Sequence, residues 1–212
     1  MARRRNHNRE EILVMALAAA REIVTLEGAE ALSARRVASQ IGYSPGTLYN
    51  LFKNLDDLIL RVNGVTLDQL RRALIKASRP GLPEEVLPEL VGAYLTFTTQ
   101  NRHLWQLLLE QKRPDEMVLP DWYWDKVERT MAVLERVLDP FFGPEKKAEC
   151  REAARVFWCG LHGIWALGGS GRLDAVTHHT VADLAQSLTR YFLAGMRHQE
   201  AEQPAAFNKG NV

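Results

Sequence analysis

Three kinds of side chain crowd into the stretch from Ser33 to Lys53. Thr47 and Asn50 carry short, uncharged hydrogen-bonding groups. Arg35, Arg36 and Lys53 are cations able to displace counterions from a phosphate backbone. Ser33, Ser44 and Tyr49 offer hydroxyls. Pro45 and Gly46 add almost no bulk, so whatever presents them can approach a surface closely. The chemistry on offer is recognition of a polyanion. Catalysis is not indicated: the chain has no G-x-S-x-G, no H-E-x-x-H and no phosphate-cradling glycine loop. The glycines at 168–171 fail as such a loop, because no strand precedes them and no Lys follows in register. His178 and His179 are adjacent and diverge, with no acid cluster beside them, so a metal site is not expected; no cofactor is expected either.

Two short helices would hold these groups in place. Ser33 stands as an N-cap before ARRVASQI, where Val37, Ala38 and Ile41 share one side. Gly42 supplies the left-handed residue that ends such a helix. Ser44-Pro45 opens the next, Ser as cap and Pro where its missing N–H costs nothing. In PGTLYNLF, Leu48 and Phe52 face inward, while Gly46, Thr47, Tyr49 and Asn50 face out near the N-terminus. This is a helix-turn-helix pattern, whose second helix reads the major groove from its first turns. Simpler roles remain open: Tyr49 as a half-buried core residue, Thr47 and Asn50 as solvated groups, Arg35 as one half of a surface ion pair.

The rest of the chain reads as helical. A helix over 9–27 buries Ile12, Ala16, Ala19, Ala20 and Ile23 and completes a three-helix unit. A long helix over 55–78, with Asp56 and Asp57 in its first turn, leaves that unit and enters the remainder as a lever. Helices are expected over 84–101, 103–111, 121–139, 145–168 and 177–198, separated by Pro- and Gly-rich breaks. The fold class is all-α. The expected domains are 1–55 for DNA binding, 56–198 for ligand binding and dimerisation, and 199–212 as a disordered tail.

Composition agrees with this. Apolar residues at 46% are enough for a core, and charged residues at 25% argue against disorder. The net charge of +1 is uninformative, but residues 1–55 carry eight Arg and Lys against five Glu. Arg3, Arg4, Arg5 and Arg9 form a basic arm without an acid. Cys150 and Cys159 on one helix would lie about 13 Å apart, too far for a disulfide. They read as reduced thiols. No run approaches the ~18 apolar residues of a membrane span, so the chain is expected to be soluble and cytoplasmic, with no membrane partner.

Over its first 58 residues the chain resembles the DNA-binding domain of TetR-family transcriptional regulators. The likeness is carried by Ala34-x-x-Val37-Ala38-Ser39-x-Ile41-Gly42, by Ser44-Pro45-Gly46-Thr47-Leu48-Tyr49, and by Phe52-Lys53-Asn54 before an acidic helix start. The segment LHGIWALGGSGRL from Leu161 is similar to the His-Gly signature of one ligand-binding subclass. The resemblance implies phosphate contacts from Ser33, Arg36, Tyr49 and Lys53, and base-facing positions at Pro45, Gly46, Thr47 and Asn50. Leu51 and Leu55 depart from it, standing where the family usually has a His and a Lys that touch the DNA backbone.

For the second domain, Tyr94, Phe97, Trp105, Leu108, Trp122, Trp124, Trp158, His162 and Trp165 form a candidate ligand set. An apolar pocket for a flat or greasy effector and a solid core fit that set equally; His162 taken singly reads as a packing histidine. Surplus apolar surface on the last two helices points to a homodimer interface through Leu161, Leu184, Leu188, Tyr191 and Phe192. The resulting expectation is a dimeric, ligand-responsive regulator, most simply a repressor, binding palindromic double-stranded operator DNA. The alternative is an all-helical small-molecule binder or enzyme with no DNA affinity.

Overall fold

A computed structural model of the protein describes residues 7–110 and 118–202. The Arg3–Arg5 arm, residues 112–117 of the expected loop and most of the expected tail lie outside the described residues. Nine α-helices and no strand are found among the described residues: α1 (Arg9–Glu27), α2 (Ala34–Ile41), α3 (Pro45–Tyr49), α4 (Leu55–Ala77), α5 (Pro83–Gln100), α6 (Arg102–Glu110), α7 (Asp121–Leu138), α8 (Lys147–Gly169) and α9 (Val181–Glu202). The all-α reading stands.

Helix starts are set by local hydrogen bonds. Asn8 and Glu11 form a reciprocal capping box at the start of α1. Asn54 Oδ1 accepts from the Asp57 amide at 2.9 Å at the start of α4. Thr180 and Asp183 exchange backbone and side-chain hydrogen bonds before α9. This cap delays α9 to Val181, four residues later than the periodicity suggested, and the helix runs on to Glu202 rather than ending at 198.

The chain divides into two compact units, Met1–Leu70 with Phe97–Val127, and Arg71–Thr96 with Glu128–Val212. In the first, α1, α2 and α3 close over Ala16, Ala20, Ile23, Val24, Val37, Ala38, Leu48 and Phe52. The same core takes in Leu58, Ile59 and Val62 from α4, and Leu104 and Leu107 from α6. Three short helices bury too little apolar surface on their own, and α4 and α6 supply the remainder. Polar ties follow the same lines. Arg21 of α1 donates to Thr66 Oγ1 at 2.9 Å and also to Gln69 on α4. His103 of α6 donates to the Thr25 carbonyl at 3.0 Å.

In the second unit α8 and α9 pack together through Phe157 and Phe192, ring centroids 4.8 Å apart. Gly160 lets α9 come close: a Cβ there would stand 3.2 Å from Leu188. The buried line of α9 is Ala185, Thr189 and Leu193. The more hydrophobic line Val181, Leu184, Leu188, Phe192 and Met196 is only half-buried. The registers differ by one residue because small Ala185 and Thr189 permit the close contact, with the Thr189 hydroxyl satisfied by the Ala185 carbonyl at 2.7 Å. Arg155 ties α8 to α7 through Glu128 at 2.8 Å and Glu135 at 3.3 Å. The hydrogen bond to Glu128 and the nearby acids hold its guanidinium still more firmly protonated than usual.

Candidate nucleic-acid interface

Ser33 caps α2 by accepting from the Arg36 amide at 3.3 Å. Gly42 ends the helix in the left-handed region, φ +76°, where a side chain would be strained. The chain then turns through Tyr43, and Ser44 caps α3. Ser44 Oγ accepts from the Thr47 amide at 3.4 Å and lies 3.1 Å from Thr47 Oγ1. Regular α3 stops at Tyr49, sooner than the expected PGTLYNLF helix. The chain still turns: the Leu51 and Phe52 amides both donate to the Leu48 carbonyl at 2.9 Å. Leu48 and Phe52 are buried as expected, 2% and 3% exposed.

The outward surface is the expected one. Ser33, Arg35, Arg36, Ser44, Pro45, Gly46, Asn50 and Lys53 are exposed, Thr47 is half-buried, and Tyr49 is 57% exposed. That exposure excludes the core role left open for Tyr49. Arg36 pairs with Glu27 on α1. Both partners are exposed, so the pair is weak and can be exchanged for a phosphate. Lys53 keeps its ammonium exposed while its backbone amide donates to Asp57 at 3.0 Å. Leu51 and Leu55 are half-buried against the core of this unit. At these two positions the chain uses the side chain for packing.

Arg9, expected as part of a basic arm, has a second role, and His7 and Tyr43 add a contact that the sequence did not single out. Arg9 Nη2 donates to the Asn50 carbonyl at 3.3 Å, bracing the end of α3 from the start of α1. His7 Nδ1 and the Tyr43 hydroxyl lie 2.9 Å apart. The signal was present in Asn8-x-x-Glu11, a capping box that fixes where α1 begins and so where Arg9 points.

The aromatic set expected to form one pocket is divided between the two units. In the first, Trp105 is fully buried and packs edge-on to Phe97, centroids 6.2 Å apart. Trp122 lies edge-on to Tyr123, covers Gly64 and receives the Arg61 guanidinium at 5.9 Å, with Leu108 packed beside it. Trp124 is 50% exposed and faces solvent, not a pocket, because its position on α7 falls on the side away from buried Tyr123. In the second unit, Tyr94 packs edge-on to Trp158 at 5.0 Å and its hydroxyl meets His162 Nδ1 at 3.2 Å. His162 stacks on Trp165 at 5.7 Å. A cavity of this unit lies elsewhere, between α5 and α9, and none of the nine residues lines it.

Of the expected interface residues, Leu161 is 3% exposed and points into the core, so it offers no surface to a partner. Phe192 is engaged with Phe157, and Leu188 with Gly160. Tyr191 is 68% exposed, and the exposed apolar residues of α8 are Val156 and Leu167. Cys150 and Cys159 are free thiols, the first buried and the second exposed. Burial, with Asp139 and Glu135 nearby, pushes the Cys150 thiol pKa up. Among the described residues no group of three or more His, Cys, Asp or Glu is placed to hold a metal, and no helix is long and apolar enough to cross a membrane.

Two family models match separate stretches of the chain. Residues 16–62 match the family model described as bacterial regulatory proteins, tetR family. Residues 87–195 match the model described as tetracyclin repressor-like, C-terminal domain. Neither description names a His-Gly subclass, and that narrower likeness rests on the residues from Leu161 alone. No curated protein matches the chain. Among solved structures, a protein of unknown function from Rhodococcus sp. RHA1 is 21% identical, with a TM-score of 0.70 over 92% of this chain and 98% of that one. A tetR-family transcriptional regulator from Streptomyces coelicolor is 18% identical, with a TM-score of 0.67 over 91% and 83%. The transcriptional regulator FadR from Bacillus subtilis, solved with stearoyl-CoA, is 15% identical, with a TM-score of 0.64 over 86% and 98%. At these identities the likeness is one of fold.

Proposed function

The chain belongs to the TetR family of ligand-responsive, DNA-binding transcriptional regulators, and from that premise we propose that it is a homodimeric repressor of a palindromic operator. The observation that carries this is the α3 tip: small residues at a capped helix start, exposed, with Asn50 and Lys53 at its far end. Thr47 and Asn50 face base edges. Ser33, Arg36, Tyr49 and Lys53 face phosphates, with Arg35 and Ser44 beside them. Two such tips, one per subunit, enter successive major grooves about 34 Å apart.

The functional DNA-binding segment is residues 1–55, and dimerisation belongs to the last two helices. Exposed Tyr191, with Val156 and Leu167 of α8, supplies the apolar surface for pairing. The protein acts in the cytoplasm and works by binding, not turnover. A small apolar or aromatic effector shifts the equilibrium between two spacings of the paired tips, through α4. It does so only by the difference in its affinity for the two states. The fold's likeness to FadR, solved with stearoyl-CoA, supports an effector with an apolar body.

Selection of bound sites from random duplex DNA, followed by titration, tests the reading. Asn50→Ala should relax preference at one base position per half-site, a loss of about 1–3 kcal/mol. Lys53→Ala should weaken all sequences alike and lower the salt slope by about one. No sequence preference in the intact chain, or no loss in the double variant, rejects it.

A further inference from the structure

The α5–α9 cavity was not expected from the sequence. It has a volume of about 690 Å³ and is partly open to solvent, a size at which small-molecule sites are found. One wall is the outer face of α5, with Val91 and Leu95; the other is α9, with Leu193 and Ala194. Thr189 lies in it with its hydroxyl already committed to the Ala185 carbonyl.

Two residues of α5 stand out for what they give up. Pro88 removes a helical hydrogen bond, and Gly92 is a weak helix former; both line the cavity. A Cβ placed on Gly92 would meet nothing within 4 Å. Gly92 therefore keeps space open along the groove, since a longer side chain would project there without a backbone clash.

The charges are unequal. Glu84, Arg190 and Arg197 are the ionisable lining residues. Arg197 Nε donates to Glu84 Oε1 at 2.7 Å, so those two satisfy each other. Arg190 meets only the ring and hydroxyl of its neighbour Tyr191, with the guanidinium 5.0 Å from the ring centroid. It has no carboxylate partner among the described residues. The groove therefore has apolar walls and one cation without a counter-charge. A ligand carboxylate would supply the missing counter-charge.

We propose that the α5–α9 groove is an effector site for a singly charged amphipathic carboxylate. Its apolar body lies along Val91, Leu95 and Leu193, and its carboxylate pairs with Arg190. This specifies the effector of the regulatory reading and rests on it.

Calorimetric titration of the full chain with decanoate, and with decanol as the neutral counterpart, tests the site. Decanoate should bind saturably at one per chain. Arg190→Gln should weaken it at least tenfold, decanol should bind no better than decanoate binds that variant, and Gly92→Leu should abolish binding. Both substitutions lie on exposed positions, and far-UV circular dichroism should remain that of the parent. Absence of saturable decanoate binding overturns the proposal, as does binding that neither substitution changes. A Gly92→Leu chain that changes sedimentation mass while the parent binds no decanoate also overturns it, assigning the groove to a second copy. Site selection on duplex DNA separates the two readings. Sequence-selective DNA binding without decanoate binding refutes only the groove assignment. Decanoate binding sensitive to Arg190→Gln without DNA selectivity upholds the site and refutes the regulatory role.

Discussion

The α3 tip and the α5–α9 groove are both exposed functional surfaces, yet they are made in opposite ways. Every feature of the tip is settled within a few residues. Gly42 ends one helix, Ser44 caps the next through the Thr47 amide, and Leu48 and Phe52 fix which side faces out. The groove is assembled from Glu84–Leu95 and Ala182–Arg197, segments some hundred residues apart. Its shape depends on how two long helices approach, and that in turn on small residues elsewhere, such as Gly160 under Leu188. A locally specified surface tolerates change in distant packing. A surface formed by packing does not.

The largest effect expected from this contrast concerns two tryptophans of the same candidate set. Trp105 is enclosed on all sides against Phe97 and carries the interior of its unit, whereas Trp124 is half exposed. Trp105→Ala should lower stability by about 3–5 kcal/mol, and Trp124→Ala by no more than about 0.5 kcal/mol. Urea unfolding followed by circular dichroism measures both. Equal losses would mean that the two tryptophans are buried alike.

These tryptophans also mark where sequence reading stops. Helix order, most of the α1 buried face and most of the outward surface of α3 were legible, because helical period and capping chemistry are local properties. Aromatic content shows that a residue favours burial, but not which neighbours bury it. Trp122 and Trp158 look alike in the sequence and belong to different units. On α9, Leu184, Leu188 and Phe192 outweigh Ala185 and Thr189 in hydrophobicity. The small residues nonetheless make the tighter contact. Leu161 is ambiguous for the same reason, since a helix with surplus apolar residues does not say which of them faces its own core. The groove left no signal in the pattern of apolar residues. Its trace was the pair of helix-weakening residues Pro88 and Gly92 within one stretch of α5.

Within the tip, a backbone change should matter more than a side-chain change. Gly42→Val places a β-branched residue at φ +76°, which should cost about 1–2 kcal/mol. The strain falls in the turn that aims α3, so DNA affinity should fall along with the unfolding midpoint. Ser44→Ala removes the cap on the Thr47 amide and should cost about 1 kcal/mol. Asp at the same position, which also caps, should restore stability but weaken DNA binding, because it brings a negative charge to a surface that faces phosphates. Stability and affinity moving together in the Ser44→Asp chain would mean that the tip is not held by its cap.

The smallest effect belongs to the Glu84–Arg197 pair of the groove. Glu84 is held below the usual carboxylate range first by a hydrogen bond from its own backbone amide and then by Arg197, which together outweigh partial burial. Because the folded value lies below the unfolded one near 4.5, the stabilisation is complete above that pH. It is lost as the pH falls through the lower folded value. The pair is partly exposed, so the loss should stay below about 1 kcal/mol. Glu84→Gln should flatten the acid side of the stability curve as the pH falls below 4.5, measured as urea midpoints. At neutral pH the same substitution frees Arg197 and leaves the groove with two unpaired guanidiniums, so decanoate should bind Glu84→Gln severalfold more tightly than the parent. A tighter complex with an unchanged acid limb would mean that Glu84 acts on the ligand alone. A flattened limb with unchanged decanoate affinity would mean that it serves only to fasten α9 to α5.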